Sequence, residues 1–355
     1  MRFRIALLGV ALCTALAGPG MVRPAQAEQI NFSPVPQHRA VGVTLSEGLS
    51  APGAGIPVVL GRPDFTPEVI AARTPSIPSR SGPTLQPWMH GDVAGAWASG
   101  FRGQGVTITV VDDFTSGSRS SGNLGTGRQV LRHGEWTRLE ASMIAPSSTM
   151  VTQDFASGRA VALTPNRLNV LNLSYGMMAR SGFTAAQIRW SAQENSIITH
   201  ARNGSAVIAK AAGNDAVAVG AANRSGNVDY LNLALVGTRS TIFVGALDRN
   251  GAVNNRANLA SYSNFAGSNT TVQRQFLTVG VRGDLTNLYG TSFAAPVVSG
   301  YAAVLGSKFT TATPVQITNR LLDTARQDTI NNYNAAIHGR GEASLSRAIA
   351  PSSIR

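Results

Sequence analysis

The chain has 355 residues, 43% of them hydrophobic and only 14% charged, with 37 glycines. It is too apolar and too sparsely charged for a disordered chain, and long enough for one large α/β domain or two small ones. The formal net charge of +12 favours acidic partners, but the arginines that carry most of it are scattered along the chain and not clustered with aromatics, which argues against nucleic-acid binding.

Residues 1–27 read as a secretory signal peptide. Arg2 and Arg4 form a basic start, Ile5 to Ala17 an apolar core too short to span a bilayer comfortably, and Ala25-Gln26-Ala27 a small-x-small cleavage site. Cleavage would remove three arginines, bringing +12 down to about +9, and the single cysteine, Cys13, so the exported protein would fold without disulfides. A secreted or periplasmic protein is expected, with no transmembrane segment after cleavage. Residues 28–87 hold ten of the 17 prolines and few apolar runs, which predicts an extended Pro-rich pro-segment or linker with one short helix at most.

The texture changes near Trp88. Asp92 to Trp97 predicts a short helix, residues 99–105 a turn, and Val106 to Val111 a buried strand that runs into Asp112 and Asp113. A carboxylate at the C-terminal edge of a parallel strand stands where α/β folds place their chemistry, and an aspartate there also serves as a turn or cap residue. His133-Gly134 precedes a predicted helix over 135–145, with Trp136, Leu139, Met143 and Ile144 on one face. His38, His90, His200 and His338 read as structural or solvated. Asn169 to Gly176 predicts a buried strand closing on a glycine turn, and Thr184 to Asn203 an amphipathic helix stopped by Gly204. Ala206 to Ala212 predicts a strand ending in Gly213-Asn214-Asp215, and Thr241 to Ala246 another strand. Thr278-Val279-Gly280 reads as a turn, Thr313-Pro314 as the start of a helix through Arg326, and a last helix ends at Ala350.

Between these lies Gly290-Thr291-Ser292-Phe293-Ala294-Ala295-Pro296, after which the chain stays small or apolar and uncharged to Leu305. A helix apolar on every side must be buried. Proline fits only in its first turn, so the helix is predicted to start just before or at Ser292, with the hydroxyl at the positive end of the dipole. Serine at that place is also an ordinary cap.

This string resembles the Gly-Thr-Ser-x-Ala-x-Pro signature of the subtilisin-like serine proteases, the subtilases. Four other stretches resemble the family's remaining motifs and follow its order: the Gly-x-Gly-Val-x-x-x-Val-Val-Asp run ending at Asp112, His133-Gly134, Ser174-Tyr175-Gly176, and Ala211-Ala212-Gly213-Asn214. The resemblance implies an α/β fold of three layers, a mainly parallel central sheet flanked by helices, over a peptidase domain at residues 88–350 followed by a tail at 351–355. It further implies Asp112, His133 and Ser292 as catalytic residues, Asn214 as oxyanion donor, and Ser174, Tyr175, Gly176, Ala212 and Gly213 as substrate-binding residues. Asp113 departs from the family, which usually has Ser or Thr there, as do Glu135, Trp136 and Arg138, since the family usually reads His-Gly-Thr-His and then small residues.

The implied function is a secreted serine endopeptidase that forms an acyl-enzyme. One alternative is a weak or inactive relative that binds peptides or envelope components through its basic surface. Another is a non-proteolytic serine hydrolase, disfavoured because no Gly-x-Ser-x-Gly elbow surrounds Ser292. The chemistry needs no cofactor. Many subtilases bind structural calcium, but no Asp-x-Asp-x-Asp-Gly loop is present and no metal ligand is assigned. The expected partner of a monomer is a peptide or protein substrate. Tyr175, Gly176 and residues 209–213 suggest a pocket for an apolar or aromatic side chain, and Asp215 at its rim one for a basic side chain.

Overall fold

The computed structural model describes residues 33–36 and 82–354. The signal-peptide reading of residues 1–27 and most of the expected pro-segment lie outside them. In chain order, β1 (Ser33–Pro36) precedes α1 (Asp92–Ala98) and β2 (Val106–Asp112). A hairpin of β3 (Ser120–Gly122) and β4 (Gln129–Leu131) leads into α2 (His133–Ile144), β5 (Thr149–Asp154), β6 (Leu168–Leu173) and β7 (Tyr175–Arg180). There follow α3 (Ala192–Asn203), β8 (Val207–Ala211), β9 (Asn227–Asp229), α4 (Tyr230–Leu235) and β10 (Thr241–Leu247). The last part comprises α5 (Thr270–Gln275), β11 (Phe276–Gly280), α6 (Gly283–Thr286), α7 (Ala295–Lys308), α8 (Pro314–Asp323), α9 (Ala335–His338) and α10 (Leu345–Ile349).

Apolar runs such as Val106 to Val111 and Thr241 to Leu247 are buried on both faces, which suits a parallel sheet covered by helices. The order β11-β10-β8-β6-β2-β5 forms one sheet in which every pair is parallel. Because side chains alternate along a strand, the sheet divides the core in two. Ile108, Val110, Val207 and Ala209 pack with α2 and α7, whereas Leu171, Leu173, Ile208 and Phe243 pack with α3 and α4. This is the three-layer α/β architecture that the resemblance implied. The strand order reverses at β2, with β5 on one side and β6 on the other, and such a reversal opens a crevice at the C-terminal strand ends. Asp112 closes β2 there, and Ser174 follows β6.

Residues Ala295 to Ser307 of α7 are all buried, as its uniform apolar sequence requires. The helix starts later than expected. Residues Thr291–Phe293 form a separate 3-10 turn, and Pro296 then falls in the first turn of α7, which begins at Ala295.

Other boundaries also moved for local reasons. The run to Gly176 is broken at Ser174. β7 then leaves the parallel sheet, continues to Arg180 without a glycine turn at Gly176, and pairs antiparallel with β9. The helix expected from Thr184 begins at Ala192, because Ser191 accepts the Gln193 N–H as its cap, while Thr184 caps only a short 3-10 turn (Ala185–Gln187). Gly204 ends that helix in the left-handed conformation, as predicted. Thr278-Val279-Gly280 is part of β11 and not a turn, since it pairs with β10. The helix expected through Arg326 ends at Asp323, and Thr324 caps it.

Within the proline-rich stretch, β1 lies antiparallel on β7, with Val35 opposite Gly176 and Pro36 opposite Tyr175. Pro34 and Pro36 are two residues apart, so both missing N–H groups fall on one edge and the other edge can still pair.

Candidate active site

The Asp112 carboxylate is fully buried at the mouth of the crevice. Its Oδ1 is 2.6 Å from His133 Nδ1 and accepts the Asp113 N–H at 2.7 Å, and its Oδ2 accepts the Thr137 hydroxyl at 2.8 Å. An ionised carboxylate only accepts, so Nδ1 carries the imidazole proton and Nε2 is the basic nitrogen.

His133 is the first residue of α2. Glu135 accepts the Arg132 N–H at 2.7 Å and so closes the first turn, and its carboxylate lies 3.5 Å from the Arg132 guanidinium and 3.7 Å from that of Arg119. This unusual acid therefore starts the helix that presents the imidazole. Asp113, another departure, is engaged by Ser116 through both its N–H, at 2.9 Å, and its hydroxyl. Gly134 is obligatory, because a Cβ there would stand 2.7 Å from the Asp113 carbonyl oxygen.

The Ser292 hydroxyl is buried and donates to the Ser174 carbonyl at 3.2 Å, while the Ser174 hydroxyl donates to the Ser292 carbonyl at 3.0 Å. Ser174 is steadied by Asn172 Nδ2 at 3.0 Å, and Asn172 by the Ser299 hydroxyl of α7 at 3.2 Å. Phe293 packs its ring 5.6 Å from that of His133. Phe293, next to Ser292 in the 3-10 turn ahead of α7, thus meets His133 at the start of α2.

Asn214 Oδ1 accepts both the N–H of Thr291 at 2.8 Å and its hydroxyl at 3.1 Å. A main-chain N–H can only donate, so the amide orientation is fixed, and Nδ2 is left as a buried donor with no partner among the described residues. Gly213 precedes it at φ 117°, where a Cβ would be 2.2 Å from Asn264 Nδ2. Its N–H goes to the Thr291 hydroxyl at 3.0 Å.

Of the expected substrate contacts, Tyr175 turns its side chain inward. The ring stacks on Phe155 at 5.7 Å and the hydroxyl donates to Glu194 at 3.2 Å, so only its main chain lies on the β7 edge with Gly176. The phenol is pushed well above its usual range by burial and by the Glu194 carboxylate. Ala212 is buried and its carbonyl accepts Asn232 Nδ2 and Asn264 Nδ2, each at 3.0 Å. Asp215 is exposed and accepts Asn223 Nδ2 at 3.3 Å.

The sequence reading missed Thr137 and Thr291, which hold the Asp112 carboxylate and the Asn214 amide. Thr137 was within reach of it, since a residue four after His133 shares its helix face. It also missed the buried pair behind β8. Lys210 Nζ donates to Asp229 Oδ2 at 3.0 Å and to the Ala211 carbonyl at 2.7 Å, while Asp229 Oδ1 accepts the Met177 N–H of β7 at 3.0 Å. Burial lowers the Lys210 pKa, and Asp229 opposes that shift.

Glu140 was missed too. It is buried on α2, no hydrogen bond reaches its Oε2 among the described residues, and burial raises its pKa well above the usual carboxylate range. A raised folded-state pKa means that the folded chain holds a proton the unfolded chain releases, so this stabilisation is full below the unfolded pKa and is lost as pH rises through the folded one. Glu140→Gln is therefore expected to raise Tm relative to the wild type at pH 8 and to change it much less at pH 4. An equal change at both would contradict the assignment.

Among the described residues, no group of three or more His, Cys, Asp or Glu could hold a metal ion, and no helix is long and apolar enough to cross a membrane. A family model described as the subtilase family matches residues 139–341. That span contains Asn214 and Ser292 but not Asp112 or His133. No curated protein matches the chain. Among solved structures, the prenylagaramide maturation protease PagA is 18% identical over 73% of this chain and 97% of its own, with a TM-score of 0.48. MycP1 from Mycobacterium smegmatis is 20% identical over 78% of this chain and 87% of its own, TM-score 0.45. Fervidolysin from Fervidobacterium pennivorans, a keratinolytic enzyme, is 17% identical over 72% of this chain and 44% of its own, TM-score 0.47.

Proposed function

Since the chain belongs to the subtilase family of peptidases, we propose that it is a serine endopeptidase acting through an Asp112, His133 and Ser292 triad. The observation that carries this reading is the 2.6 Å contact between Asp112 and His133, which lie outside the span of the family match, beside Ser292 and an Asn214 amide with an unused donor.

A serine hydroxyl is a weak nucleophile until a base takes its proton. For this, Ser292 would have to leave the Ser174 carbonyl and turn to His133 Nε2, and apo contacts of this kind tighten when substrate binds. Asp112 holds the ring in the correct tautomer and stabilises the imidazolium. As the tetrahedral intermediate forms, the Asn214 Nδ2 and the Ser292 N–H would receive its oxyanion. The Ser292 oxygen bonds to the carbonyl carbon, the imidazolium gives its proton to the amine as the C–N bond breaks, and the acyl-enzyme left is hydrolysed by a water that His133 deprotonates. No cofactor enters these steps.

The β7 edge supports the binding side of the reading. An extended peptide can add itself to such an edge as another strand, and β1 already does so with residues 33–36 running toward Ser174. On this reading residues 28–87 are a pro-segment, the chain is made as a zymogen, and export follows from residues 1–27. A fluorophosphonate probe is expected to label the wild type at Ser292. Labelling elsewhere, or none in a folded protein that has lost residues 28–87, would favour the weak or inactive relative.

A further inference from the structure

We infer that the hollow between the β3–β4 hairpin and α6 is a subsite for an acidic side chain on the leaving-group side of the peptide, and that Arg128 selects it. The inference rests on the peptidase reading.

The hollow has a volume of about 310 Å³ and is lined by Ser121, Asn123, Arg128, Leu285 and Thr286 among others. Several contacts put it beside the reacting centre. Gly122 lies so close to Leu288 and Trp136 that a Cβ there would be 2.7 Å and 3.1 Å from them. Leu288 is four residues before Ser292, and Trp136 is on the first turn of α2 with His133. The hairpin is clamped to α6 by the Asn123 N–H donating to the Thr286 carbonyl at 2.9 Å, and to Asn287, whose Nδ2 donates to the Ser121 carbonyl at 2.9 Å.

The hairpin and β7 flank that centre on opposite faces of the sheet. Tyr175 and Met177 of β7 belong to the core with α3, whereas Leu124, Leu288 and Trp136 belong to the core with α2 and α7. A peptide that lies along β7 and crosses between His133 and Ser292 therefore emerges over the hairpin. An extended peptide advances about 3.3 Å per residue, so the residues that follow the cut are the ones that pass over the hairpin.

The charge is one-sided. Residues 114–132 contain Arg119, Arg128 and Arg132 and no acid. Arg119 and Arg132 share Glu135, but Arg128 donates only its Nε to the Ser121 hydroxyl, at 2.8 Å, and pairs with no carboxylate among the described residues. Held by that one nitrogen, its two terminal nitrogens form a fork that matches a carboxylate. Asn123 has its Oδ1 occupied by the Gly125 and Gly127 N–H groups, at 2.8 Å and 3.1 Å, and keeps its amide N–H groups as further donors. The hollow thus offers donors and a positive charge, and no acid lines it.

The test uses the active full chain and peptides alike up to the cut, with Glu, Gln or Lys placed second to fourth after it. The wild type is expected to prefer Glu over Gln by about two- to fivefold in kcat/KM, the size of an exposed ion pair, with the preference shrinking at high salt. In Arg128→Gln the Glu to Gln ratio is expected to fall to about one. Indifference of the wild type to this charge, or a preference that survives Arg128→Gln, would overturn the subsite and leave the peptidase reading standing. A wild type that cuts none of the peptides, neutral ones included, would overturn both.

Discussion

Replacing Ser292 by alanine is expected to lower kcat for peptide hydrolysis by about 10⁶-fold, or about 8 kcal/mol of transition-state stabilisation. On the proposed mechanism, losing the nucleophile would leave the Asp112 and His133 pair with no hydroxyl to deprotonate, and only the oxyanion donors and substrate binding would continue to act. Asn214→Ala is expected to cost about 10²–10³ in kcat, the size of the loss when the oxyanion donor of a subtilisin is removed. On the proposed mechanism the two differ because Asn214 would contribute one hydrogen bond that strengthens in the transition state, while Ser292 would supply the bond that forms. Steady-state rates on one peptide, with circular dichroism to confirm folding, check both. A folded Ser292→Ala protein that keeps more than about a hundredth of the activity would place the nucleophile elsewhere.

Asp229→Ala is expected to destabilise the fold by about 3–5 kcal/mol, because it strands the Lys210 ammonium in a dry interior. It also removes the acceptor for the Met177 N–H and the cap of α4, whose Leu231 N–H lies 3.1 Å from Asp229 Oδ1. Lys210→Met should cost less, since the remaining carboxylate keeps its main-chain donors. For a domain of this size the Asp229→Ala loss corresponds to a fall in Tm of about 10 °C. Replacing both residues by apolar ones should recover much of it. A shift of less than about 1 kcal/mol for Asp229→Ala would show that the pair is not desolvated as described.

The parts of this molecule that could be read in the sequence are those where one signal acts alone. Ala295 to Ser307 has no polar face, so it could only be a buried helix, and Val106 to Val111 could only be a strand with Asp112 at its end. The misreadings came where distant contacts chose between local options. On α2, the periodicity pointed to Trp136, Leu139, Met143 and Ile144; Trp136 and Ile144 are buried, but Leu139 and Met143 are only half-buried while Thr137 and Glu140 go inside, Thr137 because it bonds to Asp112. Ser191 displaced Thr184 as the cap of α3, a choice between two equally good residues. β7 ran past Gly176 because β9, some 50 residues further on, offered it an edge. Asn214 was readable as a residue, but its orientation was not, since it depends on Thr291.

If residues 28–87 are the pro-segment proposed above, the seat of β1 on β7 would also set how the molecule is switched on. A strand joined to its own docking edge through the 45 residues between Pro36 and Gly82 cannot diffuse away, so it competes with any outside peptide at a fixed local concentration that mixing and volume do not alter. One break in that tether makes the same strand a free ligand, held only by its intrinsic affinity and lost to the surroundings once it lets go.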